Sequence, residues 1–347
     1  MKFLRLLLVF IPISLIGEFV HFSPTLMFIL AALAIIPLAG LMGEATEEIS
    51  FYSGPRIGGF LNATFGNATE LIISFFALKA GLFEVVKASI SGSVIGNILL
   101  VLGASMLAGG MKYKTQAFNK QALEVNSSML LFAVIGLIIP AVFTHTVSPE
   151  LLTTQYEGVS VIVAIIMFSI YLMSLFFSFY THKDLYSVDH REESKPKWSL
   201  KTAVLVLVAA TVFIGLESEF LVSAVEPMTK EAGLSEFFVG IILIPIIGNA
   251  AEHSTAVLMA LKNEMDVAIE IAIGSSLQII LFVTPVLIFL SLLFKPMSII
   301  FNEFELVALL LSVFIANRVS NDGESNWLEG FQLLAVYLII AVSFFVL

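Results

Sequence analysis

No cysteine occurs anywhere in this chain, which excludes disulfide staples and thiolate metal sites and leaves oxygen as the ligand for any cation. Charge is nearly as scarce. Asp, Glu, Lys and Arg make up 13% of the 347 residues, hydrophobic residues make up 59%, and the mean hydropathy is +1.01. Neither a water-soluble domain with a polar surface nor a disordered chain reaches these values. The formal net charge of −10 is scattered over loops and helix ends, so no basic surface for nucleic acid is built. No HExxH or comparable pairing of nucleophile and base occurs, which argues against an intramembrane enzyme.

What the chain has instead is long apolar runs. A hydrocarbon core of about 30 Å takes about 20 apolar residues per helix, and only helices or closed barrels satisfy their backbones there. Runs bounded by charge and by Pro or Gly predict an all-α integral membrane protein with about eleven spans. They fall near 3–22, 25–49, 56–80, 83–109, 119–144, 152–181, 199–225, 232–261, 265–294, 298–317 and 325–347. With the N-terminus cytoplasmic, eleven spans put thirteen basic residues inside and only four outside: Lys79, Lys87, Lys230 and Lys295. That asymmetry follows the positive-inside rule and puts the C-terminus outside. The first run, LLLVFIPISLIG, has the charged start and short core of a signal peptide. Lacking a small-x-small cleavage site, it reads as a retained helix.

The one sizeable polar linker is HKDLYSVDHREESKPKW, His182 to Trp198. It divides the chain into a leading helix (1–22), an N-terminal half (23–181), the cytoplasmic linker (182–198) and a C-terminal half (199–347). Five spans on each side of the linker is an odd number, so the second set enters from the opposite face: an inverted-topology repeat. The sequence agrees. At a constant offset of 182, Gly66 matches Gly248, Asn67 matches Asn249, Ala68 matches Ala250 and Glu70 matches Glu252. Further along, Val85 matches Val267, Gly92 matches Gly274 and Ser93 matches Ser275. Close helix packing explains recurring small residues. It does not explain the glutamates.

Glu70 and Glu252 each fall near the middle of an apolar span, where an ionised group costs several kcal/mol. No Lys or Arg falls at a span centre to pair with them. Permanent protonation would be served as well by Gln. The remaining reading is that each carboxylate is protonated or cation-bound in turn. Two carboxylates are neutralised by one divalent ion or by two protons, which titrate the pair as a coupled set. Ca²⁺ takes about six to eight oxygens at about 2.3–2.6 Å, and Asn67, Asn249, Ser93, Ser275, Gln278 and Asn97 offer carbonyl and hydroxyl oxygens beside the pair. Mg²⁺ keeps its waters, and Zn²⁺ finds no Cys. Gly66 and Gly248 ahead of each Asn are expected to loosen their helices and free main-chain carbonyls. Pro245 reinforces this in the eighth span, whereas the third has no such proline.

Other polar residues have open readings. His253 relays protons or simply bonds a neighbouring helix. Glu44, Glu47, Glu48, Glu217 and Glu219 concentrate cations at the two mouths or are ordinary solvated helix ends, and Glu124 and Glu270 are similar cases. Asp184, Asp189, Glu192 and Glu193 form a regulatory cation patch or a merely solvated linker.

The paired motifs GNATEL and GNAAEH, followed by GSVIGN and GSSLQ, resemble the two α-repeats of the cation/proton exchanger family, a branch of the Ca²⁺/cation antiporters. The resemblance covers helices 2 to 11. It implies one leading helix plus two inverted five-helix repeats, and a Ca²⁺/H⁺ antiporter with Ca²⁺ as transported substrate and no cofactor. It further implies ion-binding roles for Glu70 and Glu252, for Asn67 and Asn249, and for Ser93, Ser275, Asn97 and Gln278. Sodium/calcium exchangers are similar but usually carry a proline before the repeat acid, where Thr69 and Ala251 stand here, favouring proton coupling. The acidic helix common between the repeats of the family is at most weakly echoed in the linker. The expected setting is the lipid bilayer of a prokaryotic plasma membrane. A Na⁺- or K⁺-coupled Ca²⁺ exchanger and a passive cation channel are the competing readings; oligomeric state is left open by the sequence.

Overall fold

The computed structural model describes residues 4–144, 152–182 and 196–346. A 3₁₀ lead-in (Leu4–Val9) runs into α1, Phe10–Val20. There follow α2 (Pro24–Phe65), α3 (Ala68–Lys79), α4 (Phe83–Tyr113), a short strand β1 (Thr115–Ala117), α5 (Lys120–Thr144) and α6 (Leu152–Phe176). After the linker come α7 (Leu200–Ala232), α8 (Glu236–Leu261), α9 (Met265–Ser291), α10 (Glu303–Val319), β2 (Glu324–Asn326) and α11 (Trp327–Val346).

Local chemistry sets these limits. Ser23 caps α2 through Leu26 N with Pro24 at the first helical position, and Ser199 caps α7 through Thr202 N. Asn302 and Glu305 form a reciprocal capping box at the start of α10. Gly233 ends α7 in the left-handed conformation.

Among the described residues eight helices are long and apolar enough to cross a membrane: α2 as far as Gly54, α4, α5, α6 from Gly158 on with the π-helical turn Phe177–Thr181 that extends it, α7, α8, α9 and α11. The other three predicted spans are helical but shorter. α1 has 11 regular residues after its 3₁₀ lead-in, and α10 has 17. The third span is interrupted: a separate helical stretch, set off from the first part of α2 by the non-helical Gly54 (φ 81°, ψ 168°), runs to Phe65, and the chain breaks again at Asn67 before the 12 residues of α3.

Burial orders the helices from centre to edge. In the most apolar window, 72% of α4 and 67% of α9 is buried, against 22% of α6 and 28% of α11. So α4 and α9 are central, and α6 and α11 turn large apolar side chains, such as Ile162 and Leu338, outward. An antiparallel pair, Gln116 opposite Ser325, joins the end of α4 to the start of α11. The apolar interior divides in two. The main core draws on both halves of the chain, including the first turns of α2 and the last turns of α7. A smaller cluster holds Leu38, Met42, Ala68, Ala210 and Ile214, with Leu8 and Ile11 packed on it. There α1, α2 and α7 pack on one another, with α3 contributing Ala68 and Ile72.

Candidate cation site

α3 begins at Ala68, because Asn67 leaves the helical region (φ −104°, ψ 23°), and this places Glu70 in the first turn. The amino end of a helix favours negative charge. Across from it, α8 runs unbroken through Gly248, Asn249 and Glu252. The irregularity in α8 comes earlier, as a π-helical turn over Val239–Leu243 just before Pro245. This reverses the expectation for the two glycines. The helix without the proline breaks, at Asn67 rather than at Gly66, which is itself helical (φ −55°, ψ −46°). The proline sits at the start of a regular α-helical segment, where its missing N–H and fixed φ are tolerated.

The glycines have a different job, which is to admit a carboxylate. A Cβ on Gly248 would stand 3.2 Å from Glu70 Oε1, and one on Gly66 would stand 3.6 Å from Glu252 Oε1. Each glutamate therefore lies against the glycine of the opposite repeat motif. The two carboxyl groups, 182 positions apart, are thereby brought into one site.

The amides around them are oriented by what they donate to. Asn249 Nδ2 donates to the Pro245 carbonyl (2.9 Å) and to Ser93 Oγ (3.2 Å), and Asn67 Nδ2 donates to Gln278 Oε1 (2.6 Å). Ser275 Oγ donates to Glu252 Oε2 at 2.7 Å. A carbonyl acceptor fixes which end of an amide is nitrogen, so the Asn249 oxygen must point the other way. As a result Asn67 Oδ1, Asn249 Oδ1 and Glu70 Oε2 are buried with no donor within reach among the described residues. Buried acceptors without donors are costly unless something positive meets them. Among the described residues no group of three or more His, Cys, Asp or Glu converges, so a cation here would be held by two carboxylates with amide and hydroxyl oxygens.

Of the remaining candidates, Asn97 and His253 meet each other rather than the carboxylates: His253 Nε2 lies 3.2 Å from Asn97 Oδ1. Asn97 Nδ2 is buried with no acceptor within reach among the described residues, so the asparagine presents a donor here. π-helical turns recur at the repeat offset, over Gly96–Val101 in α4 and Ile279–Val283 in α9, and a third over Glu270–Gly274 leads into Ser275. Such turns re-aim side chains and collect at functional sites.

Several acids have partners the sequence did not reveal. Arg5 holds Glu44 through two contacts of 2.8 and 3.1 Å. Glu48 is buried and accepts from the backbone nitrogens of Lys197 and Trp198, at 2.8 and 3.0 Å. Glu47 and Glu219 are exposed, Glu124 is exposed beside Lys120, and Glu270 is exposed with its carboxyl against Gly274. Glu217 is not a solvated helix end: it is fully buried against Ser14. Its setting in the apolar run VFIGLESEFLV was the available signal. Asp184, Asp189, Glu192 and Glu193 lie outside the described residues.

Comparison with known proteins places this geometry. The profile of the family described as "Sodium/calcium exchanger protein" matches twice, over residues 23–180 and 202–346. A Ca(2+)/H(+) antiporter of Aphanothece halophytica is 48% identical, covering 98% of this chain and 95% of its own. The Ca(2+)/H(+) antiporter ChaA of Bacillus subtilis is 46% identical, covering 97% of each. The solved structure of native YfkE superposes with a TM-score of 0.87 at 43% identity, covering 99% of this chain and all of that one. With both halves matched, the chain belongs to the sodium/calcium exchanger protein family.

Proposed function

We propose that this integral membrane protein is a secondary active transporter exchanging Ca²⁺ for H⁺ by alternating access, with Glu70 and Glu252 taking the ion or protons in turn. The observation that carries the reading is the reciprocal seating of the two carboxylates on Gly248 and Gly66 amid buried acceptors that lack donors. Two negative charges are met by one Ca²⁺ or by two protons, and either state is neutral enough to survive burial at mid-membrane. Asn67, Asn249, Ser93, Ser275 and Gln278 complete the oxygen set. Asn97 and His253 form a pair beside it that orients the neighbouring helices.

The two matched stretches, the constant offset and the paired π-helical turns support two halves, 23–181 and 199–347, inserted in opposite senses. A leading helix (1–22) and a cytoplasmic linker (182–198) complete that division. Relatives called Ca(2+)/H(+) antiporters in bacteria support the substrates and a prokaryotic plasma membrane as the location. The distribution of Lys and Arg supports a cytoplasmic N-terminus and an external C-terminus. No catalytic residue and no resident cofactor enters this reading; Ca²⁺ is cargo.

The test is Ca²⁺ flux in proteoliposomes with Na⁺ and K⁺ absent. Uptake that follows an imposed pH gradient and acidifies the opposite compartment is expected. A requirement for Na⁺ or K⁺ would replace the proton as coupling ion, and Ca²⁺ flux without proton counterflow would make the protein a channel.

A further inference from the structure

Glu217 of α7 has no exposure and faces Ser14 of α1, which has none either. Ser14 Oγ lies 2.6 Å from Glu217 Oε1 and 2.8 Å from the carbonyl oxygen of Ile11. A serine hydroxyl carries one proton and cannot serve both oxygens. Bonding back to a carbonyl of the preceding turn is the ordinary habit of a helical serine and uses that proton. The 2.6 Å contact is then a hydrogen bond only if the carboxyl group supplies its own.

The opposite arrangement, an ionised Glu217 accepting from Ser14, leaves a buried charge without compensation. Its Oε2 has no donor within reach among the described residues. Among the described residues no cation faces it from any helix packed there. On α2 no ionisable residue occurs between Pro24 and Gly43. On the α1 side, Arg5 is held by Glu44 and Glu18 is exposed. On α7, Lys201 and Glu219 are exposed. On α3, Glu70 lies against Gly248 and the exposed Lys79 lies over the Phe76 ring.

We propose that Glu217 is a neutral carboxylic acid whose fixed proton docks the leading helix onto α7, so that α1, α2 and α7 form one packed body. The Arg5–Glu44 pair fixes the inner end of the same strap to α2, and the smaller apolar cluster lies between the two attachments. Glu217 is thus a positioning residue. It touches neither transported ion, and its proton stays in place while those at Glu70 and Glu252 exchange.

The test compares three proteins in the same bilayer. At mildly alkaline pH the infrared spectrum of the wild type should contain a protonated carboxyl C=O band that is missing in Glu217→Gln. Because the Gln amide donates to Ser14 as the acid does, Glu217→Gln should keep wild-type transport and an unchanged pH profile. Glu217→Ala, which has no donor, should lose thermal stability and transport several-fold more slowly. The proposal is overturned by carboxylate bands alone at Glu217. It is equally overturned by a Glu217→Gln protein that is unfolded, inactive or shifted in pH profile, or by a Glu217→Ala protein indistinguishable from wild type.

Discussion

Replacing Gly248 by alanine puts a methyl group where Glu70 now rests. The new Cβ would stand 3.2 Å from Glu70 Oε1 and 3.5 Å from its Cδ and Cγ, where ordinary contact runs from 3.4 to 4 Å. The carboxyl group must therefore retreat by a few tenths of an ångström. Oxygens around Ca²⁺ sit within a window of about 0.3 Å, so a displacement of that size spoils one ligand of the set. Losing much of one such contact is expected to weaken apparent Ca²⁺ affinity about tenfold, which is ~1.4 kcal/mol. The same methyl should favour the α-helical backbone at residue 248 by about 0.5–1 kcal/mol. The two effects have opposite signs, so a transport loss cannot be ascribed to misfolding. Gly66→Ala is the harsher change, because its Cβ would stand 2.8 Å from the Asn62 carbonyl oxygen, which forces the backbone at that helix end to move, besides meeting Glu252 Oε1 at 3.6 Å. Concentration dependence of Ca²⁺ uptake in proteoliposomes, with thermal unfolding in detergent alongside, reads both quantities. Wild-type affinity in Gly248→Ala would refute the seating argument.

Three further outcomes follow from the same geometry. Ser275→Ala removes the donor to Glu252 Oε2, a hydrogen bond to a charged group worth about 1.5–3 kcal/mol, and should weaken Ca²⁺ binding at least tenfold in equilibrium titrations. In the proposed competition of protons and Ca²⁺ for the carboxylates, raising the pH strips protons and lowers the half-saturating Ca²⁺ concentration, by about tenfold per pH unit for each proton displaced; a pH-independent value would contradict competition. Glu48→Ala strands the backbone nitrogens of Lys197 and Trp198 and should lower stability by about 1–3 kcal/mol in thermal unfolding while leaving Ca²⁺ affinity unchanged.

The pairing of Glu70 with Glu252 was legible because the bilayer makes a mid-span carboxylate anomalous, and because the repeat prints the anomaly twice at one offset. The oxygens of Asn67 and Asn249 were legible for the same reason. Where the helix breaks was not, since the choice between Gly66 and Asn67, and between a kink at Gly248 and a π-helical turn before Pro245, is made by packing across the two halves. The boundary between the second and third spans was legible, since the chain leaves the helical region at Gly54 (φ 81°, ψ 168°) and a second helical stretch begins beyond it. The acids at helix ends misled most. Glu44 and Glu48 look alike in sequence and Glu217 differs only by its apolar setting, yet their roles depend on Arg5, Lys197 and Ser14, partners 39 to 203 residues away.

Ca²⁺ binding to Glu70→Gln, Glu252→Gln and the double variant, followed together with proton release in weakly buffered solution, tests the central claim most directly. Glutamine keeps the size and one acceptor oxygen of each side chain and removes only the charge. The account predicts that the wild type binds Ca²⁺ and releases protons as it does so. Each single variant should lose both by a large factor, and the double variant should show neither. Wild-type Ca²⁺ affinity with undiminished proton release in the double variant would contradict it.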